Sequence, residues 1–418
     1  MTKGDRPMKI IASSNTRAVQ RLVSRRAGTD AALERRVSRI VGGVRRRGDK
    51  ALRDYAQRFD GVTGPLEVSR QEIREGARDT PPAVKRAIKE AASHIRRVAL
   101  RQVPKSWRTT VVPGVVVEQR VTPLERVGCY VPGGRYPLPS SLLMTALPAR
   151  AAGVSEIIAA CPRPEPAVLS AALECGVSRL FRAGGAHMIA AFAYGTEAVP
   201  KVDKIVGPGN AYVAAAKARV SDDCPIDFYA GPTEIVIVAR GGNPDWIAAD
   251  LIAQAEHDPV ARPILITPTM SLARAVVQAV ATRLVSHTAA QPAMARYGVA
   301  VVTSSLGEAI ALSNEIAPEH VVCETESVAR RLTRAGTVFV GPYGAQAAGD
   351  YATGSNHVLP TGGAAKFRGG LSASDFVRVC SVQRLTRRGL QRLAPTALSL
   401  ANAEGLVAHA ASVATRVS

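Results

Sequence analysis

A parallel α/β fold built on two sheets is what this sequence predicts, and three observations predict it. From about residue 125, short β-rich runs alternate with helical stretches. The alternation pauses at a Gly-rich break near residues 227–234 and then restarts. The segments before and after it carry helical periodicity instead. The organisation read from this has four parts. Residues 1–125 form a helical region with connecting strands, partly packing on the second α/β domain. Residues 126–230 form a first α/β domain, 231–375 a second, and 376–418 a helical tail.

The N-terminal helices are read from AALERRVSRIVGGVRRRGDKALRDYAQRF and PPAVKRAIKEAASHIRRVAL, where apolar residues recur at helical spacing and arginines fill the other face. These segments explain the charge of the chain. Residues 1–110 hold 27 Lys and Arg against 11 Asp and Glu, so they carry +16 of the formal +20. A solvated helical face is the plain reading, with an anionic substrate or partner as a second. Nucleic-acid binding is a remote alternative, since aromatic residues make up 4% and no helix-turn-helix or RNA-recognition motif stands out. In the first block, RVGCYV, EIIAAC, RLFRA and KIVG read as strands, separated by helices such as SLLMTALPARAAG and HMIAAFAYG. In the second block, EIVIVA, PILIT, VAVVTS, VVCE and TVFVG read as strands, with helices such as WIAADLIAQAEH between them. After about residue 375 the β signal stops, and ALSLANAEGLVAHAASVATRV closes the chain as helix.

At 418 residues and 46% hydrophobic, the chain suits a folded protein of more than one core. No apolar run reaches the length of a signal peptide or a membrane span, so the reading is a cytoplasmic protein with no membrane partner. Six cysteines without a C-x-x-C pair argue against a disulfide framework and a cysteine zinc cage.

Several turns and side chains could carry chemistry. CYVPGGRYP, RAGGAH and IVGPGNAYV follow strands directly, where glycines let backbone amides approach a phosphate. None is a G-x-G-x-x-G fingerprint, so nucleotide binding and ordinary tight turns both stay open. Gln254 and His257 lie three apart in DLIAQAEHDP, on one face at the end of a helix that Pro259 discourages from continuing. With Asp350, His357 and His409 they offer oxygen and imidazole donors to a borderline-soft cation. On spacing alone, Asp350 reads equally as a turn residue, and the histidines as surface groups. Glu319 and His320 in IAPEHV set a carboxylate beside an imidazole just before a strand. Such a pair can divide proton work, or can simply be an exposed helix end.

These segments together resemble the histidinol dehydrogenase family along nearly the full chain. The landmarks, in order, are CYVPGGRYPLPSS, GPGNAYV, AGPTE, QAEHDP, APEH, GDYATGSNHVLPTGGAAKF and EGLVAHA. The resemblance implies oxidation of L-histidinol to L-histidine in two NAD-dependent steps through a retained aldehyde, the last reaction of histidine biosynthesis. It implies one zinc per subunit on Gln254, His257, Asp350 and His409, the last from the partner subunit's tail, in an intertwined homodimer. It implies catalysis by Glu319 and His320, and NAD contacts at Tyr130, His187 and Asn210 on the first α/β domain. Substrate contacts would come from Thr233, His357 and, across the dimer, Glu404, beside Gln254, His257, His320, Asp350 and His409. Two positions depart from the family pattern. Thr233 stands where Ser is usual, and His187 where Gln is usual, which makes coenzyme affinity an expected function of pH. The nearest alternative is a paralogue acting on another polyol such as sulfopropanediol. Glu404 argues against it, because an acid in the substrate pocket suits a cationic amine and repels a sulfonate.

Overall fold

The computed structural model describes residues 8–24, 31–133, 137–229 and 231–418. In chain order its strands are β1 (Lys9–Ala12), β2 (Glu67–Val68), β3 (Trp107–Val112), β4 (Val115–Pro123), β5 (Arg126–Tyr130), β6 (Glu156–Ala160) and β7 (Arg179–Phe181). There follow β8 (Lys204–Val206), β9 (Glu234–Val238), β10 (Arg262–Thr267), β11 (Val299–Val302), β12 (His320–Cys323), β13 (Thr337–Val340) and β14 (Val377–Leu385).

Two of the three sheets are those of the predicted α/β class. The first runs β2-β7-β6-β5-β8, parallel except for the short β2. The second runs β1-β11-β10-β9-β12-β13 and is parallel throughout. Helices cover both faces, which is why β9 (EIVIV) is buried along its whole length and reads as a continuous apolar run rather than an alternation. In each sheet the chain winds outward from a central strand, β5 or β9, and then crosses to its other side. That reversal opens a crevice at the strand ends.

The N-terminal region divides between the sheets. β1 adds to the edge of the second, while helix Ala31–Arg47 buries Val37, Val41 and Val44 against the helices of the first. Neither β1 nor β14 was visible as a strand in the sequence. KIIA is only four residues long and takes its strand form from pairing with β11. VRVCSVQRL, placed by sequence in the helical tail, instead pairs antiparallel with β4 over its nine residues, completing a third sheet, β14-β4-β3. Both outer strands of that sheet are mostly exposed, so their residues carry little of the apolar contrast from which a strand is read. The tail proper is two helices, Arg387–Ala403 and Val407–Val417. Among the described residues no helix is long and apolar enough to cross a membrane.

One segment ties the two α/β halves together. After Asp350 the chain leaves the second sheet, and the Asn356 side-chain amide donates to the Met144 carbonyl (2.7 Å). Val358, Leu371 and Phe376 then enter the core around β5 and β6. Residues near Asp350 are thereby fixed against the first half.

Candidate active site

The predicted site residues of the second half gather at the amino ends of its strands. Thr233 immediately precedes β9, and His320 is the first residue of β12, paired in register with Ile235. The turn that delivers Glu319 and His320 is strained. Ala317 is the one non-glycine residue with positive φ (49°) among those described, and it sits directly before Pro318, which disfavours a helical neighbour. Holding Ala317 there costs on the order of 1–2 kcal/mol, which the surrounding packing must supply.

Hydrogen bonds lock the pair. Glu319 Oε2 accepts from the Thr233 hydroxyl and from the Glu234 backbone N–H (3.0 Å). The Gln254 amide in turn donates to Thr233 Oγ1. His320 Nδ1 faces the Glu234 carbonyl at 3.3 Å; a carbonyl only accepts, so Nδ1 carries the proton and Nε2 keeps a lone pair. Burial pushes the Glu319 carboxyl up to about 8, against the lowering bonds from Thr233 and Glu234. Burial also pushes His320 down to about 4, against the pull of the Asp350 carboxylate. In this state an uncharged acid lies beside an uncharged base.

Asp350 is the hub of the remaining residues. Its Oδ1 lies 3.8 Å from His320 Nε2, and its Oδ2 lies 3.9 Å from His257 Nε2. Gln346 Nε2 donates to Oδ2 (2.7 Å), and the Asp350 backbone carbonyl lies 2.9 Å from His357 Nδ1. Gln254 lies in the last turn of helix Pro244–Ala255, but His257 lies beyond its end, so the helix stops earlier than Pro259 requires. Among the described residues of one chain, no three His, Cys, Asp or Glu side chains come together as a metal centre. Of the residues expected to hold a metal within one chain, His257 and Asp350 are of those types, and the third, Gln254, is an amide. Gln254 Oε1 is buried and has no hydrogen-bond partner, and a buried oxygen left unpaired costs roughly 1–3 kcal/mol. A cation is the kind of group that satisfies it, so the donors present fit a metal. His409 and Glu404 are both exposed on the tail, and neither is among the ion-pair or hydrogen-bond partners of Asp350.

The residues expected at a coenzyme lie at the opposite edge of the other sheet. Tyr130 ends β5, His187 follows β7 and Asn210 follows β8, and all three line a cavity of about 830 Å³ at the carboxyl ends of these strands. The Tyr130 hydroxyl accepts from Gly185 N–H (3.0 Å). The Asn210 side-chain oxygen caps helix Ala211–Val220 by accepting from the Tyr212 and Val213 N–H groups. Glycine is required in these turns: a Cβ on Gly207 would strike the Tyr130 carbonyl, and one on Gly133 or Gly184 the Pro162 ring. His187 is buried, with Nε2 3.0 Å from Asp60 Oδ2. Four arginines, Arg36, Arg39, Arg58 and Arg163, share the lining. The matching crevice of the second sheet is smaller, about 260 Å³, and its described lining includes Asp250 and Glu324 but no Lys or Arg. Only the first crevice suits a phosphate-bearing ligand, and its glycine cradle and positive lining fit a dinucleotide.

Sequence reasoning missed Asp60 behind His187, Gln346 behind Asp350, and the place of Arg36, Arg39 and Arg58 in the cavity wall, on a face read as solvated. Nothing in the sequence pairs Asp60 with a residue 127 positions away.

Two doubly wound sheets, a nucleotide-sized crevice on one and a buried proton-handling pair on the other, define an α/β dehydrogenase. The comparisons carry this further. The family model for histidinol dehydrogenase matches residues 23–417. Histidinol dehydrogenase from Methanothermobacter thermautotrophicus is 45% identical over 394 residues, covering 91% of this chain and 92% of its own length. That from Caulobacter vibrioides is 46% identical over 411 residues, covering 96% of each. The crystal structure of histidinol dehydrogenase from Elizabethkingia anophelis superposes with a TM-score of 0.93 at 33% identity, over 99% of this chain and 98% of that one. The chain belongs to the histidinol dehydrogenase family, and so to the NAD-dependent oxidoreductases that act on an alcohol and then on an aldehyde.

Proposed function

We propose that the chain oxidises L-histidinol to L-histidine through L-histidinal, taking up two NAD per turnover, as the closing step of histidine biosynthesis in the cytoplasm. The observation that carries this reading is the orphaned Gln254 oxygen, on an amide that reaches Glu319 through two hydrogen bonds by way of Thr233, with the Asp350 carboxylate 3.8 Å from His320. Six free thiols, five of them buried, suit a reducing compartment.

Gln254, His257 and Asp350, with His409 of the partner subunit, would hold a zinc ion, and Tyr130, His187 and Asn210 would line the NAD site. Bound zinc supplies positive charge that orients the substrate's nitrogens, and NAD accepts two electrons as hydride in each step. His357 and Glu404 of the partner subunit would contact the substrate, the carboxylate facing its ammonium group. In the first step His320 Nε2 takes the hydroxyl proton as the carbinol carbon gives up hydride, leaving the aldehyde. In the second, Glu319 takes a proton from water as the water oxygen attacks the aldehyde carbon. The resulting diol loses hydride and a proton to give the carboxylic acid, which ionises. Thr233 holds Glu319 in place and favours its charged form.

A homodimer follows from the same reading. The hairpin sheet and tail expose Trp107, Val111, Val379, Leu400, Leu406 and Val407, an apolar surface that a second copy would cover. The test is to supply L-histidinol and NAD before and after chelation and zinc restoration. We expect about two NADH per histidinol, lost on chelation and regained with zinc. Turnover of a sulfonated diol but not of histidinol would favour the paralogue.

A further inference from the structure

Resting on the assignment of the first-sheet cavity to the coenzyme, we propose that Lys217 and Asp227, a buried ion pair outside the cavity wall, are positioning residues for NAD. Together they clamp the turn from Gly207 to Asn210, whose last residue lines the cavity.

Lys217 is the one buried lysine among the described residues, and its Nζ meets the Asp227 carboxylate, which is buried too. Lysine is rarely enclosed unless it is paired. Apolar side chains of similar volume stabilise an interior as well as such a pair or better, so the pair is poor evidence of a stabilising role. Its bonds have a geometric pattern instead. Lys217 Nζ donates to the Gly207 carbonyl (2.9 Å), and Asp227 Oδ2 accepts from the Gly207 N–H (2.8 Å). One ion pair therefore holds both backbone polar groups of Gly207. The other carboxylate oxygen, Oδ1, accepts from the Phe228 N–H (2.7 Å).

Gly207 is a place where the backbone needs holding. Its φ of 119° is a conformation that residues with a side chain rarely adopt, and a Cβ there would strike the Tyr130 carbonyl. Pro208 and Gly209 follow, and then Asn210, which caps the helix that carries Lys217. Glycines leave a turn many conformations, and a ligand that must order a turn binds more weakly than one that meets it already formed. The clamp thus acts on coenzyme affinity and not on the chemistry of either oxidation. It is braced from two sides. The Asp227 N–H donates to the Ile205 carbonyl in β8 (3.1 Å). Arg368, from the segment after Asp350, donates to the Asp227 carbonyl and lies over the Phe228 ring at 4.8 Å.

The experiment compares Lys217→Met with the double variant Lys217→Met/Asp227→Asn in the full-length protein. It reads melting temperature, metal content, calorimetric affinity for NAD, and KM and kcat with L-histidinol. Lys217→Met leaves a lone buried carboxylate, so it should lower both the melting temperature and the NAD affinity. The double variant leaves no lone charge, so its melting temperature should recover, while NAD affinity stays weaker by about tenfold or more. KM for NAD should rise by the same factor, with kcat at saturating NAD changed by less than about twofold and metal content unchanged. An NAD affinity that recovers together with the melting temperature would mark the pair as structural and overturn the proposal. A double variant that does not fold would overturn it as well. Asn210→Ala separates the proposal from the assignment beneath it. Should that substitution also leave NAD affinity unchanged, the coenzyme assignment falls, whereas a loss with Asn210→Ala alone counts against the clamp.

Discussion

The two parallel sheets of this chain are built alike and used from opposite edges. At the carboxyl edge of the first, glycine turns and arginines surround an open cavity, and the polar groups are engaged in holding backbone, as Asn210 and Tyr130 do. At the amino edge of the second, Glu319, His320, Gln254 and Asp350 are buried, and burial moves Glu319 up and His320 down until both are uncharged near neutral pH. An exposed positive edge recruits and orients an anion without changing its protonation. A buried edge stores groups whose protonation a ligand or ion can shift. Similar topology therefore serves binding in one half and proton transfer in the other, and the segment after Asp350 brings the two into register.

The largest effect is expected where the buried edge loses its proposed ion. Asp350→Ala and His257→Ala should abolish metal retention, read by elemental analysis, and lower kcat/KM by about 10⁴-fold or more, since substrate positioning is lost. Glu319→Gln comes next. It should keep metal and the first oxidation while slowing the second roughly 10²- to 10⁴-fold, so that a single turnover yields about one NADH rather than two. Thr233→Val keeps the shape but removes the bond that favours ionised Glu319. The carboxyl pKa should therefore rise, moving the pH at which the second step becomes fast further toward alkaline, with a loss of about 10- to 100-fold at neutral pH. A pH profile unchanged by Thr233→Val would show that Glu319 is not the group whose ionisation limits that step. The smallest effect belongs to the open edge. His187→Gln should weaken NAD binding by a few-fold at most, because an amide can still donate to Asp60 Oδ2 in place of the imidazole. A loss of about tenfold or more, read by calorimetric titration with NAD, would show that the ring itself is needed.

Much of this was legible in the residues, for physical reasons. Long apolar runs such as EIVIV and RPILIT must be covered on both faces, so the parallel sheets announce themselves. The landmark turns are legible because glycine is needed where backbones nearly touch, as at Gly207. What escaped depends on distance along the chain or on a second molecule. β14 is a strand only because β4 lies beside it, and its exposed face gives no pattern of its own. Asp60 and Gln346 act through partners that sequence spacing cannot pair or orient. The tail residues Glu404 and His409 are exposed and form no ion pair with Asp350 in a single chain, so their proposed roles require a partner subunit.

That requirement is the centre of the account, and mixed dimers test it most directly. His409→Ala and Glu319→Gln proteins, each inactive in the full reaction, would be co-expressed in equal amounts and assayed for NADH formed from L-histidinol. If each site joins the body of one subunit to the tail of the other, half the dimers are mixed, and each of these holds one intact site. Activity should then return to about one quarter of the unaltered protein's. Activity no higher than that of either variant alone would contradict a shared site.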